Sequence, residues 1–167
     1  MKTAAVLILI YRDSIVFIKR NKNLKIHPGE ISFPGGVYEK RDKNLLNTAL
    51  RETEEEIGIK AEEIEITGKM KPFETLVTQI RVIPFIGKSK KDELKFKINK
   101  KEVENILIVP VKHLRNEKNK VIVPIKFKDK MFLNTFYYYK NNLIWGATSR
   151  ILDEFLKMEA NFYESKR

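Results

Sequence analysis

The sequence predicts an α/β (α+β) fold, a mixed β-sheet with helices packed on both of its faces. Apolar runs of strand length recur along the chain and outnumber the helical patterns. Two segments, residues 44–57 and 147–162, instead repeat their apolar residues at spacings of three and four. These two helices flank most of the strands in chain order, so a sheet can be covered from either side.

Residues 3–10 and 14–19 are apolar runs joined by Arg12-Asp13-Ser14, which reads as a hairpin. The first run is far shorter than the roughly 20 residues that span a bilayer. It also lacks a small-residue cleavage site and meets Arg12-Asp13 directly, so it reads as a buried strand and not as a signal peptide. Residues 20–36 hold Pro28, Gly29, Pro34, Gly35 and Gly36 and form an ordered, loop-rich segment. From Asn44 to Ile57, a helix sets Leu46, Ala49, Leu50, Thr53 and Ile57 in one buried stripe, and Gly58 is placed to cap its C-terminus. Strands are expected near 62–70, 76–86, 103–109, 120–127 and 131–139. In the last of these, Phe136-Tyr137-Tyr138-Tyr139 alternates between two faces and suits core or dimer packing. A closing helix from Ala147 to Phe162 puts Ile151, Phe155 and Met158 on one side. With 167 residues, no repeat and no Gly/Ser linker, the expectation is a single domain over 1–167.

Composition bounds the function. A chain that is 43% hydrophobic and 33% charged folds as a globular protein, and no apolar run is long enough to cross a membrane. The absence of cysteine excludes disulfides, thiolate metal sites and a cysteine nucleophile, and with no signal recognised the expected location is the cytoplasm. Abundant Lys, Glu and Ile, with Gln79 the single glutamine, is a thermophile bias. The net charge of +11 calls for anionic partners. His27 and His113 lack ligand spacing, so no zinc site is expected.

The most informative stretch is Arg51-Glu52-Thr53-Glu54-Glu55-Glu56-Ile57-Gly58. Glu52, Glu55 and Glu56 stand at i, i+3 and i+4, so their carboxylates share one helical face, directed away from the apolar stripe. An isolated glutamate run is a solvated helix face. Here the run is followed by Gly58-Ile59, a Gly-Gly turn precedes Arg51 by fifteen residues, and the rest of the chain is strongly basic. Acidic groups concentrated in that setting suit a hard divalent cation such as Mg²⁺, which takes carboxylate oxygens and keeps room for phosphates.

These residues resemble the signature of the Nudix hydrolases: Gly36, Asp42, then Arg51, Glu52, Glu55, Glu56, Gly58 and Ile59. Asp42 stands where the family has Glu, and the stretch from Asp42 to Arg51 is one residue longer than standard. The upstream segment, with Arg20, Lys25, Gly29 and Phe33-Pro34-Gly35-Gly36, is similar to the motif of coenzyme A pyrophosphatases, which share the longer stretch. That subfamily has Ser or Ala at Asn21 and Arg at Lys25. Further likeness lies in Val82–Gly87, Glu102-Val103 through Val111, and Ile144–Thr148.

The resemblance implies a Nudix-type α/β/α sandwich that hydrolyses a diphosphate bond in a small molecule, with coenzyme A or a derivative as substrate and 3′,5′-ADP and 4′-phosphopantetheine as products. It implies Mg²⁺ or Mn²⁺ held by Glu52, Glu55 and Glu56, with Arg51 orienting a carboxylate. The Gly35-Gly36 backbone would lie against the metal, as glycine permits close approach. The general base is either Glu102 or Glu55. Arg20 and Lys25 would contact phosphates, and Phe33 would stack on substrate or pack beneath the loop. ADP-ribose, dinucleotides and nucleoside triphosphates are the alternative substrates. A nucleic-acid binder on the same scaffold is a remote alternative, since no nucleic-acid motif is present and a bare carboxylate cluster repels phosphate. No membrane partner is expected, and a homodimer is compatible with the apolar content.

Overall fold

The computed structural model describes residues 2–75 and 79–164. Its elements are β1 (Thr3–Tyr11), β2 (Ser14–Arg20), β3 (Ile31–Ser32), β4 (Gly35–Val37), α1 (Leu45–Ile57), β5 (Ile64–Lys69), β6 (Phe73–Glu74), β7 (Arg81–Ser89), β8 (Val103–Pro110), α2 (Val111–Arg115), β9 (Lys120–Phe127), β10 (Lys130–Tyr139), β11 (Asn142–Ile144) and α3 (Gly146–Glu164). Of the strand expected over 76–86, residues 76–78 lie outside the described residues, and the observed strand begins at Arg81.

The large sheet is mixed. β1 runs parallel to β7, with Ala5 opposite Ile83 and Leu7 opposite Phe85, and the other pairings are antiparallel. Because β7 occupies one edge of β1 along its length, β2 and β4 share the other edge. β2 takes Leu9–Tyr11 and β4 takes Ala4–Val6. The sheet therefore divides beside the middle of β1, and Gly35-Gly36 lies at that division. β8 extends the far side of β2.

Strand alternation sends successive residues to opposite faces, each of which is apolar and covered. Ile8, Ile15 and Phe17 join Leu114 of α2 and Ile151, Leu152 and Phe155 of α3 on one side. Leu7, Leu9, Val16 and Ile18 join Ala49 and Ile57 of α1 on the other. The α/β/α layering expected from the helical periodicities is the layering observed.

Three local features differ from expectation. Residues 120–139 form no part of the large sheet. With β11 they make a separate antiparallel sheet in the order β11-β10-β9. Pro110 ends β8 and opens the unforeseen helix α2, which turns the chain away, and the two-residue turn at Lys128-Asp129 then pairs β9 locally with β10. Val121, Ile122, Val123, Met131 and Leu133 of this hairpin remain exposed. In α3, Met158 is exposed while Leu152, Phe155 and Leu156 are buried. The buried arc is centred near Glu159, whose carboxylate pairs with Arg115 at 2.8 Å, and Met158 falls at its margin. No helix among the described residues is long and apolar enough to cross a membrane.

Candidate active site

Helix α1 supplies most of the site, and its ends are fixed by its own sequence. The Asn44 side chain accepts from the Asn47 N–H at the N-terminus, and Gly58 closes the other end in the left-handed conformation with φ of 76°. Between them the rotation of the helix departs from the expected one. Thr48, Ala49, Thr53, Glu56 and Ile57 are buried, so the inward arc is wider than the apolar stripe and includes a carboxylate. Glu56 is 2% exposed. Its Oε2 accepts from the Gly35 N–H at 3.0 Å, which pins it beneath the division in the sheet.

Two glycines make room for this arrangement. A Cβ on Gly36 would lie 2.4 Å from the carboxyl carbon of Glu52. One on Gly35, whose φ is 152°, would lie 2.4 Å from the Ala5 carbonyl oxygen and 2.6 Å from Val6 Cα. The Gly-Gly turn thus serves both strand pairing and the approach of the helix carboxylates.

A third carboxylate arrives from the loop before β8. Single oxygens of Glu52, Glu56 and Glu102 all lie within 4.8 Å of one another. Glu55 stands apart from this cluster: its side chain is 41% exposed and pairs with Arg41 at 3.2 Å and Arg51 at 2.9 Å. The expected triad of Glu52, Glu55 and Glu56 is replaced in the geometry by Glu52, Glu56 and Glu102. At i+3 from Glu52, Glu55 lies nearer the solvent side than its buried neighbour Glu56.

Arg51 braces the cluster. Its Nε and Nη2 donate to the two oxygens of Asp42 at 2.8 and 3.1 Å, and its Nη1 lies 2.9 Å from a Glu52 oxygen. Asp42 is buried and also accepts from the Thr48 hydroxyl and the Glu39 N–H. The Arg51 hydrogen bonds hold the Asp42 carboxyl well below the usual carboxylate range, against the opposing effect of burial. The shorter acidic side chain at 42 therefore makes a forked pair that fixes the guanidinium.

The cluster itself is short of positive charge. Burial pushes the Glu56 carboxyl up to about 8; Glu52 and Glu102 add to this, while the Gly35 N–H and Arg20 oppose it. Burial likewise raises Glu52, with Arg51 opposing. Three hard oxygen donors gathered in a partly buried place at this cost fit a divalent cation of the Mg²⁺ or Mn²⁺ kind, with no soft ligand in the set.

The remaining expected residues divide into two groups. Arg20 lies near enough to Glu56 to lower its pKa. Its Nε is buried without a hydrogen-bond partner among the described residues, and its Nη2 reaches the Ile26 carbonyl at 3.4 Å. Lys25 is exposed on the adjoining loop, and Gly29 there takes a φ of 70°. Phe33 is a core residue and not a surface for substrate: it is 2% exposed and stacks on Phe17 at 4.9 Å. Asn99 belongs to no motif, yet its Nδ2 donates to Glu102 Oε1 at 3.0 Å. The only trace of this contact in the sequence is an Asn three residues before Glu102.

Comparison with known proteins bears on the family and the fold. A family model described as the NUDIX domain matches residues 1–130. The uncharacterized Nudix hydrolase NudL of Photorhabdus laumondii is 30% identical over 154 residues, covering 90% of this chain and 81% of that protein. The chloroplastic Nudix hydrolase 22 of Arabidopsis thaliana is 34% identical, over 90% of this chain and 53% of its own length, so the chain spans about half of that relative. Among solved structures, a MutT/nudix family protein from Enterococcus faecalis aligns over 90% of this chain and 59% of its own with a TM-score of 0.57 at 15% identity. A C. elegans Ap4A hydrolase aligns over 67% of this chain and 82% of its own, with a TM-score of 0.55 at 17% identity. These two show a shared fold. The family match and the identity to NudL establish that the chain belongs to the Nudix hydrolase family.

Proposed function

We propose that this protein hydrolyses the diphosphate of coenzyme A or a derivative, releasing 3′,5′-ADP and 4′-phosphopantetheine. The observation that carries the hydrolytic chemistry is the convergence of Glu52, Glu56 and Glu102 beside Arg20 at the division in the sheet. Glu52 and Glu56 would hold Mg²⁺ or Mn²⁺, with Glu102 closing the set. A divalent cation bound there supplies charge neutralisation on the phosphoryl oxygens and a more acidic water.

The chain's own residues supply the rest. In the reaction, the oxygen of a water bonds to one phosphorus, the bridging P–O bond breaks, and the water's proton passes to a carboxylate. Glu102 takes that role: it comes from outside the helix and is less buried than Glu56. Arg51, saturated by Asp42 and Glu55, orients Glu52 and is not available to a phosphate. Arg20 and Lys25 provide positive charge on the approach. Lys25 keeps the charge of the arginine found in the subfamily without its planar fork. Asn21 is occupied with the Lys100 carbonyl and the Asn23 N–H, so it shapes the loop. Preference for coenzyme A rests on the residues from Arg20 to Gly36.

Mass-resolved product analysis tests this. Purified protein is incubated with coenzyme A, ADP-ribose or diadenosine tetraphosphate and Mn²⁺, beside a Glu56→Gln control. The two expected products from coenzyme A, absent in the control, support the proposal. Cleavage of only the other two substrates would keep the chemistry and overturn the substrate.

A further inference from the structure

A strap of residues 97–99 is docked on the C-terminus of α1. The Lys97 N–H donates to the Ile57 carbonyl at 2.9 Å and the Asn99 N–H to the Glu56 carbonyl at 3.0 Å. These two carbonyls belong to the last turn and have no N–H donor within the helix. Gly58 admits the strap, since a Cβ there would lie 2.6 Å from Lys97 Cβ and 2.9 Å from its nitrogen. Leu94, Phe96 and Ile98 pack into the core on the α1 side and anchor the segment at alternate residues.

Asn99 then turns toward Glu102. Its Oδ1 accepts from the Lys101 N–H at 3.2 Å, and its carbonyl accepts from the Glu102 and Val103 N–H groups at 3.0 and 2.9 Å. Its Nδ2 is left to donate to Glu102 Oε1. One residue is thus bonded through its backbone to the residue that carries one cluster carboxylate and through its side chain to another. We propose that Asn99 is a positioning residue, which holds Glu102 against the α1 carboxylates and so sets the width of the metal cluster. A carboxylate tied in this way does not swing into solvent when like charges repel it. The proposal rests on the role given to Glu102 above.

The test uses Asn99→Ser, Glu102→Gln and the double variant of the full chain, read by Mn²⁺ dissociation constant and by kcat. Serine can still accept from the Lys101 N–H but is too short to reach Glu102. Asn99→Ser is expected to weaken Mn²⁺ binding and lower kcat by about 10–100-fold, as for other partners of metal ligands. In the Glu102→Gln background the same change should cost less than about twofold, because its effect passes through Glu102. An equal loss in both backgrounds would make Asn99 a general fold residue and overturn the proposal. So would wild-type behaviour of Asn99→Ser beside an impaired Glu102→Gln, with the role of Glu102 left standing. Wild-type behaviour of Glu102→Gln would remove both. Should the serine variant fold poorly, Asn99→Asp keeps the acceptor and reverses the contact. Its melting temperature should fall and be restored by Glu102→Gln, and no restoration would overturn the proposal.

Discussion

At the scale of single residues, Glu56 and Arg51 carry opposite electrostatic burdens. Glu56 is ionised at a cost: with a pKa of about 8 against an ordinary 4.5, its protonated form is favoured by folding. That contribution is complete below about pH 4.5 and is lost as pH rises through about 8. The metal-free protein should therefore melt at a lower temperature at pH 8.5 than at pH 5.5. Glu56→Gln should flatten this dependence, and Mn²⁺ should raise the wild-type melting temperature most at the alkaline end. An unchanged slope in the glutamine variant would assign the effect elsewhere. Arg51 matters for the opposite reason. Removing it by Arg51→Ala leaves Asp42 buried with only Thr48 and a backbone N–H, a loss of about 3–5 kcal/mol in urea unfolding by analogy with other broken buried pairs. The pairing of Arg51 with Asp42 was hidden in the sequence, where Asp42 reads only as a departure from the signature. Asp42 precedes the helix that carries Arg51, and the periodicity of α1 reports which of its own residues share a face, not a contact with a residue outside it.

At the scale of elements, the length and caps of α1 were legible, and its rotation was legible only in part. Periodicity of apolar residues found Ala49 and Ile57 but gave no warning that Glu56 is buried with them. A buried carboxylate is excluded by hydrophobic patterning and is compensated here only by its partners, the Gly35 N–H and the nearby Arg20 charge. The same limit explains why Glu55, identical in type to its neighbours, stands outside the cluster. The two glycines of β4 should behave differently. Gly36→Ala meets only the side-chain end of Glu52, so it should fold, shift that carboxylate and lose catalytic activity with little loss of stability. Gly35→Ala meets the backbone of β1 at a φ foreign to alanine, so it should lose about 1–3 kcal/mol or more. Thermal melts beside activity assays separate the two, and equal destabilisation would contradict this division of labour.

At the scale of the molecule, the layering followed from sequence because the long strands β1, β2 and β7 are apolar on both faces and the helices α1 and α3 are periodic. The separate sheet of β9 to β11 did not. Strand propensity identifies Lys120–Phe127 and Lys130–Tyr139 but not which sheet they join, which is decided by α2 and the short turn after Phe127. The composition also carries a stability expectation. Arg51 and Arg41 together link Glu39, Asp42, Glu52 and Glu55 in one ion-pair network, the kind of feature that retains value at high temperature. We expect a melting temperature above the roughly 45–65 °C of mesophile domains, and a value within that range would contradict the thermophile reading.

The proposed divalent-cation site joins carboxylates from α1 with one from the loop before β8. The direct measurement is an anomalous difference map from crystals grown with Mn²⁺. The expected result is a peak in contact with Glu52, Glu56 and Glu102, lost in Glu56→Gln. A peak held by Glu55 on the outer face of α1, with the Glu102 carboxylate remote from it, would rule out a site shared between α1 and the loop before β8.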